Sequence, residues 1–325
     1  MENSTINKRN ITLDYFKIGL SILIIMIHCP FVSIYAPQNG SILDNIGYIV
    51  GWEISYGLTK IGVPLFFIIN GYYLNITSRE KTGKYLTKLV ILYIVWTLLY
   101  IPWYYPYFKN DIKSLIITVT NGFFHLWYLV SLIGAVIMLY FLNRIKVNKK
   151  GLIILAIILF FIGYLIQKRD PYSAFEIMKY RNFLFWAFPF VTIGHLIKYV
   201  TYPKIKKFIP YILILGSIAL MIEAYIYMEQ QVTNNLYIVP LFLCPAVFIY
   251  ILKNGKMGPY PKHNTVADMS IAIFFIHPML ILASLDLKIN AYIDSPVMFF
   301  LFITITTLPL AYIIVRLNRV LKIFL

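Results

Sequence analysis

The chain is dominated by uninterrupted apolar runs that are too long and too numerous for the interior of a soluble domain of 325 residues. A helix needs roughly 17 to 25 residues to cross about 30 Å of hydrocarbon, and about ten windows of the sequence meet that requirement. They run approximately over Tyr15–Ile34, Ile54–Leu74, Leu86–Tyr104, Phe123–Leu142, Leu152–Ile166, Phe183–Val200, Phe208–Met228, Leu236–Leu252, Met269–Leu285 and Val297–Val315, the fifth being the shortest. Lipid offers no partner to a backbone N–H or C=O, so each run must be a helix or a strand of a closed barrel. Barrel strands alternate apolar and polar residues, and these runs do not. Prolines within them (Pro64, Pro189, Pro245, Pro278 and Pro309) are tolerated where neighbouring helices satisfy the freed carbonyls. The sequence therefore predicts an all-α, polytopic membrane helix bundle of about ten transmembrane helices. Residues 1–325 are read as one integral-membrane domain, because the connecting segments, about 20 residues or fewer, are too short for a core of their own.

A composition of 60% hydrophobic and 13% charged residues leaves little room for any other class. The net charge is +16, and its distribution reads as topology. With a cytoplasmic N-terminus, the inside segments hold Arg9, Lys17, Arg79, Lys84, Lys88, Arg144, Lys149, Lys198, Lys206, Lys253 and Arg319 among others, whereas the outside segments hold only Lys109, Lys113, Lys168, Arg169, Lys179, Arg181 and Lys288. This asymmetry predicts a multi-pass cell-membrane protein with both termini cytoplasmic, its inner face attracted to anionic membrane lipid. No nucleic-acid partner is expected, since the basic residues are dispersed over many short loops. Cys29 and Cys244 lie within or beside spans and show neither a disulfide nor a metal pattern, so no metal is expected. No small-residue cleavage motif follows the first apolar run, which is read as a retained helix.

Ionisable side chains at membrane depth are costly and mark functional sites by default. Here they are His28, Lys60, Glu223 and His277, with His125 and Arg181 near helix ends. Counting about 1.5 Å per residue from the cytoplasmic entry of each helix puts all of them toward the outer side. A polar cavity open to the outer face would account for them together. Each also has a structural reading: a histidine bonded to a backbone carbonyl, a Lys60 or Arg181 snorkelling to headgroups, an interfacial aromatic belt around His125, Trp127 and Tyr128, and a Glu223 paired with a structural cation.

Several segments resemble a known family. Leu13-Asp14-Tyr15-Phe16-Lys17 followed by His28 is similar to the first-helix signature of membrane acyltransferases of the acyltransferase-3 family, in which an Arg precedes the His by eleven positions. Gly62-Val63-Pro64-Leu65-Phe66-Phe67-Ile68-Ile69-Asn70-Gly71-Tyr72, His125-Leu126-Trp127-Tyr128-Leu129 and Ser270-Ile271-Ala272-Ile273-Phe274-Phe275-Ile276-His277-Pro278 resemble further family segments in the right order. Lys17 stands where the family usually has Arg, and Asn70 where Ser is common. A Lys at the first of these positions is similar to the branch containing exopolysaccharide-modifying proteins and the membrane half of vancomycin-resistance serine racemases.

The resemblance implies a membrane O-acyltransferase that moves an acyl group, expected to be acetyl, from cytoplasmic acyl-CoA as co-substrate to a hydroxyl of a cell-envelope or exported carbohydrate. Polysaccharide synthesis or export proteins are then the expected protein partners. Such a transfer needs a base for the hydroxyl proton and donors for the developing oxyanion. His28 is the expected catalytic base, because imidazole with an ordinary pKa near 6.5 is largely neutral at pH 7. Lys17, Lys84 and Lys88 are expected to hold the donor phosphates, Lys without the bidentate fork of Arg. Lys60, His125, Trp127, Arg181, Glu223 and His277 are expected to bind the acceptor or polarise the carbonyl. A transporter or flippase of a small polar solute, such as an amino acid or glycan unit, is the alternative, since a bundle with proline-broken helices and buried charges suits that role too.

Overall fold

The computed structural model describes residues 8–35, 42–169, 174–259 and 264–325. Ten apolar helices follow one another through them: α1 Ile11–His28, α2 Asn45–Tyr73, α3 Arg79–Leu99, α4 Trp127–Arg144, α5 Lys149–Arg169, α6 Phe183–Ile197, α7 Ile209–Glu229, α8 Pro240–Asn254, α9 Thr265–Asp286 and α10 Pro296–Leu321. Eight are long and apolar enough to cross a membrane, and α6 and α8 are shorter. The chain is thus an all-α, multi-pass membrane protein. The fifth apolar run, shortest in the sequence, is a full helix of 21 residues, because the basic residues at both its ends continue the helix instead of terminating it.

Short polar caps set the helix starts. The Asn10 side chain accepts from the Leu13 N–H at 2.9 Å and so begins α1, while its amide donates to Ile251 O of α8 at 2.9 Å. Ser78, Asn264 and Ser295 cap α3, α9 and α10 in the same manner. Just before α1, Lys8–Asn10 pairs antiparallel with Met257–Pro259, the one sheet among the described residues. A three-residue ladder carries no periodic signal, and the sequence gives no sign of it.

Hydrogen bonds and a cation–π contact tie lysine- and arginine-bearing helix ends to neighbouring helix ends. Lys198 Nζ donates to Leu74 O at 2.5 Å, Arg319 donates to Thr265 Oγ1 at 2.8 Å, and Lys149 Nζ lies 3.4 Å from the centre of the Tyr199 ring. The outward faces are apolar, with Ile214 and Leu215 of α7 and Ile305 of α10 each more than 60% exposed. In a bilayer this is the surface that meets lipid tails.

Two irregularities shape the interior. Within α2 the regular helix gives way to a π-helical turn at Glu53–Gly57 and a 3-10 turn at Leu58–Ile61 before resuming at Gly62–Tyr73. The α6 helix opens with a second π-helical turn, Phe183–Ala187, whose first N–H groups are capped by Asn182 Oδ1 at 2.9 and 3.2 Å. Such turns re-aim side chains and recur at functional sites. Beyond them α2 and α6 cross closely enough that a Cβ on Gly71 would fall on the Val191 carbonyl oxygen, and one on Gly194 on that of Ile68. The reciprocal pair of glycines permits backbone-to-backbone contact.

Candidate active site

Three imidazoles from distant parts of the chain converge. His28 is the last residue of α1. Its ring lies 4.7 Å from that of Phe124 and stacks on His277 at 5.5 Å, and His125 lies 5.8 Å from His277. His125 is delivered by a tight turn in which Gly122 has φ +91° and Phe124 φ +50°. A bulky residue in the left-handed region is strained, and here it carries the ring that packs on His28. His277 is fully buried in α9, its Nδ1 2.9 Å from Ile273 O. A carbonyl can only accept, so Nδ1 carries the proton of the neutral ring and Nε2 keeps a free lone pair. That Nε2, like both ring nitrogens of His125, is buried without a partner. Among the described residues no group of His, Cys, Asp or Glu is arranged to hold a metal ion.

Beside His28 lies a cavity of ≈ 60 Å³ lined by Lys60, His125, Trp127, Arg181 and Asn235 among others. The broken segment of α2 brings Lys60 there, with Nζ 5.6 Å from the centre of the Tyr237 ring. The Arg181 guanidinium sits 5.0 Å from the centre of the Trp127 ring, and burial pushes its pKa down to about 10, which leaves it charged at neutral pH. Asn235 is fixed by Gln167, a fully buried amide that accepts from the Asn235 and Leu236 N–H groups at 2.8 Å each and donates to Leu236 O at 2.9 Å. Five of the expected site residues, His28, Lys60, His125, Trp127 and Arg181, thus line one cavity, and His277 packs against its wall.

A second cavity, of ≈ 160 Å³, lies toward the basic end, with Tyr85, Lys88 and Asn70 in its lining. Tyr128 and Phe274 line both cavities. Of the three lysines expected on the donor side, only Lys88 reaches this space. Lys84 is exposed and pairs with Glu80 at 2.6 Å. Lys17 lies 4.0 Å from Asp14, which also binds the Arg9 guanidinium. The spacing that aligns Lys17 with the family's Arg says nothing of Arg9, whose fork takes the Asp14 carboxylate with both nitrogens.

Glu223 stands apart from both cavities. Its carboxylate accepts from the Ile238 N–H at 2.8 Å and the Val239 N–H at 3.0 Å, satisfying the start of α8, and from Tyr227 OH at 3.3 Å. Its depth in the sequence matches that of the histidines, but its lateral partner is a helix terminus. The sequence reading assigned no role to Asn70, Tyr128, Asn235 or Phe274. Asn70, Tyr128 and Phe274 do fall inside the family-like segments quoted above, which is the signal that could have singled them out.

Comparison with known proteins agrees with the segments. An amino-acid racemase of Enterococcus faecalis is 32% identical over 163 residues, covering 46% of this chain and 21% of that protein. Another from the same organism is 25% identical over 345 aligned residues, covering 96% of this chain and 47% of that protein. A serine/alanine racemase of Enterococcus gallinarum is 24% identical over 298 residues, covering 83% and 40% respectively. The chain therefore spans less than half the length of these relatives. No solved structure matches significantly. The acyltransferase domain model of the acyltransferase-3 family matches residues 10–316, so the chain belongs to that family of membrane acyltransferases.

Proposed function

We propose that the chain transfers an acetyl group from cytoplasmic acetyl-CoA to a hydroxyl group of a cell-envelope or exported carbohydrate. The observation that carries this reading is the pair of cavities in series, one with Lys88 toward the basic end and the other with His28, Lys60 and Arg181, meeting at Tyr128 and Phe274. A donor with a long flexible arm and an anionic head fits such a path, its phosphates near Lys88 and its thioester at the junction. His28 takes the hydroxyl proton as the acceptor attacks, with the His277 ring stacked on it. Lys60 and Arg181 are charged donors placed to hold acceptor hydroxyls or to offset negative charge that develops in the transition state.

A second reading comes from the relatives, which are named for racemisation of amino acids, serine and alanine among them. On it, the His28 cavity takes a small amino acid and the bundle passes it across the membrane. One experiment separates the two. Purified protein in lipid nanodiscs is given radiolabelled acetyl-CoA with envelope polysaccharide, and protein in proteoliposomes is given radiolabelled serine. His28-dependent label on the polysaccharide supports acyl transfer, whereas serine flux without acetyl-CoA consumption overturns it.

A further inference from the structure

Tyr128 and Phe274 meet edge to face at 5.4 Å between ring centres, and of the residues lining both cavities only Tyr128 carries a polar side-chain atom. Lys60 and Arg181 line only the His28 cavity, and Lys88 only the other. A thioester that passes from the basic-side cavity toward His28 therefore finds Tyr128 as the polar side chain shared by the two cavities.

The state of that hydroxyl follows from its neighbour. The Asn70 amide nitrogen donates to Phe66 O at 2.9 Å and to Tyr128 OH at 2.9 Å, and Asn70 Oδ1 accepts from Tyr85 OH at 2.8 Å. Phe66 O can only accept, so the amide cannot be turned around: its oxygen would then face a carbonyl oxygen. Both amide protons are thereby used, and Tyr128 receives one of them. A phenol that accepts at oxygen still has its own proton to give. No acceptor for that proton is found among the described residues. The Tyr128 ring is held by stacking on Phe67 at 4.5 Å, so the hydroxyl is fixed in place as well as unspent.

We propose that Tyr128 is a catalytic hydrogen-bond donor, holding the carbonyl oxygen of the acyl thioester where the two cavities meet, with Asn70 and Tyr85 as its positioning residues. This rests on the acyl-transfer reading above. The acceptor oxygen bonds to the carbonyl carbon as its proton passes to His28, and the C=O electron pair moves onto the oxygen held by Tyr128. Collapse restores C=O and breaks C–S, and the departing thiolate takes the proton back from His28. Tyr128 keeps its own proton throughout, as an oxyanion donor must. In this chain Asn70 orients Tyr128 through a bond that a serine, one atom shorter and with a single proton, could not share between Phe66 O and the phenol.

The test compares wild type, Tyr128→Phe and Asn70→Ser in nanodiscs with acetyl-CoA. Tyr128→Phe should lower kcat by about 10²–10³-fold, the usual effect of losing one oxyanion donor, while KM for acetyl-CoA stays near wild type and thermal stability falls only modestly, because the ring and its stacking remain and one hydrogen bond from Asn70 is lost. Asn70→Ser should show a smaller loss in kcat. As a readout independent of turnover, the infrared C=O stretch of carbonyl-labelled acetyl-CoA bound to His28→Ala protein should lie below its value in water, and that displacement should vanish in the His28→Ala, Tyr128→Phe double variant. Should Tyr128→Phe fold poorly, 3-fluorotyrosine at position 128, a stronger donor, should displace the stretch further. A folded Tyr128→Phe protein with wild-type kcat, or a carbonyl stretch indifferent to the position-128 hydroxyl, overturns the role of Tyr128 and leaves acyl transfer standing. A wild-type protein that never consumes acetyl-CoA overturns acyl transfer itself, and this inference with it.

Discussion

Replacing His28 by alanine separates the catalytic role of the imidazole from its packing, because the structure assigns a different size to each. The ring touches Phe124 at 4.7 Å and His277 at 5.5 Å, and it borders an existing cavity of ≈ 60 Å³. Each aromatic pair contributes about 0.5–1.5 kcal/mol, so losing both costs about 1–3 kcal/mol of stability. Removing a general base slows turnover by about 10²–10⁴-fold, or about 3–5 kcal/mol in the barrier. The two effects fall on different measurements: thermal unfolding in nanodiscs, and thiol release from acetyl-CoA in the presence of acceptor. His28→Gln adds a control, since it keeps most of the side-chain volume and a hydrogen-bonding group but cannot cycle a proton near neutral pH. Both variants should fold, alanine with the lower melting temperature, and both should lose turnover to a similar extent. A folded His28→Ala protein that turns over at the wild-type rate would refute the base assignment. Glutamine restoring activity would refute it equally, by showing that only shape and polarity mattered.

Three further outcomes are expected. Lys88→Gln should raise KM for acetyl-CoA by roughly five-fold, the worth of about one partly exposed ion pair, whereas Lys84→Gln should leave it unchanged because Lys84 is spent on Glu80 outside the cavity; equal effects in steady-state kinetics would contradict this placement. Gly194→Ala should destabilise the bundle by about 1–3 kcal/mol, as overpacking does, because the new methyl meets the Ile68 carbonyl where α2 and α6 cross; an unchanged melting temperature would show that the two helices have room to part. Cysteine at Lys146 should react in intact cells only with membrane-permeant reagents and cysteine at Tyr292, 86% exposed between α9 and α10, with impermeant ones, against the quiet background of buried Cys29 and Cys244; the reverse pattern would invert the topology.

The helices were legible because crossing lipid demands a length and a composition that few other structures need. The fixed rise of a helix turns residue number into relative height, and His28, Lys60, His125 and Arg181, matched in this way, do line one cavity. Lateral position was not legible. Lys60 and Glu223 lie at comparable heights, yet one lines the His28 cavity and the other caps α8, and nothing in the spacing of either says which neighbour it will face. That choice is made by contacts between helices far apart in sequence, such as the Gly71 and Gly194 crossing, where the informative feature is a missing side chain. The donor side divides differently: Asp14 with Lys17 at i,i+3 and Glu80 with Lys84 at i,i+4 are pairs that helical spacing already offers in the sequence, whereas the opening of Lys88 onto a cavity is set by packing between helices. The turn holding His125 was hidden for another reason, since its strained Phe124 violates local preference and is held there by the surrounding fold.

The charge balance of the His28 cavity bears on which substrate suits it. Lys60 and Arg181 both line it, and among the described residues no Asp or Glu does. A free amino acid presents a carboxylate, which these cations would hold, and an ammonium, which would then need an acid or an open aromatic face. Trp127, one of the aromatic residues lining the cavity, is already engaged by Arg181 at 5.0 Å and by stacking with Trp186 at 5.0 Å. An ammonium group entering here would face two cations with no acidic side chain in the lining to offset them, which disfavours a zwitterion. A hydroxyl and a developing oxyanion place no cation in the cavity. They offer the acceptor oxygens that Lys60, Arg181 and the Tyr128 phenol can serve, and a proton for His28 to take. On electrostatic grounds, the cavity is better matched to a neutral alcohol passing through an anionic transition state than to an amino acid in transit.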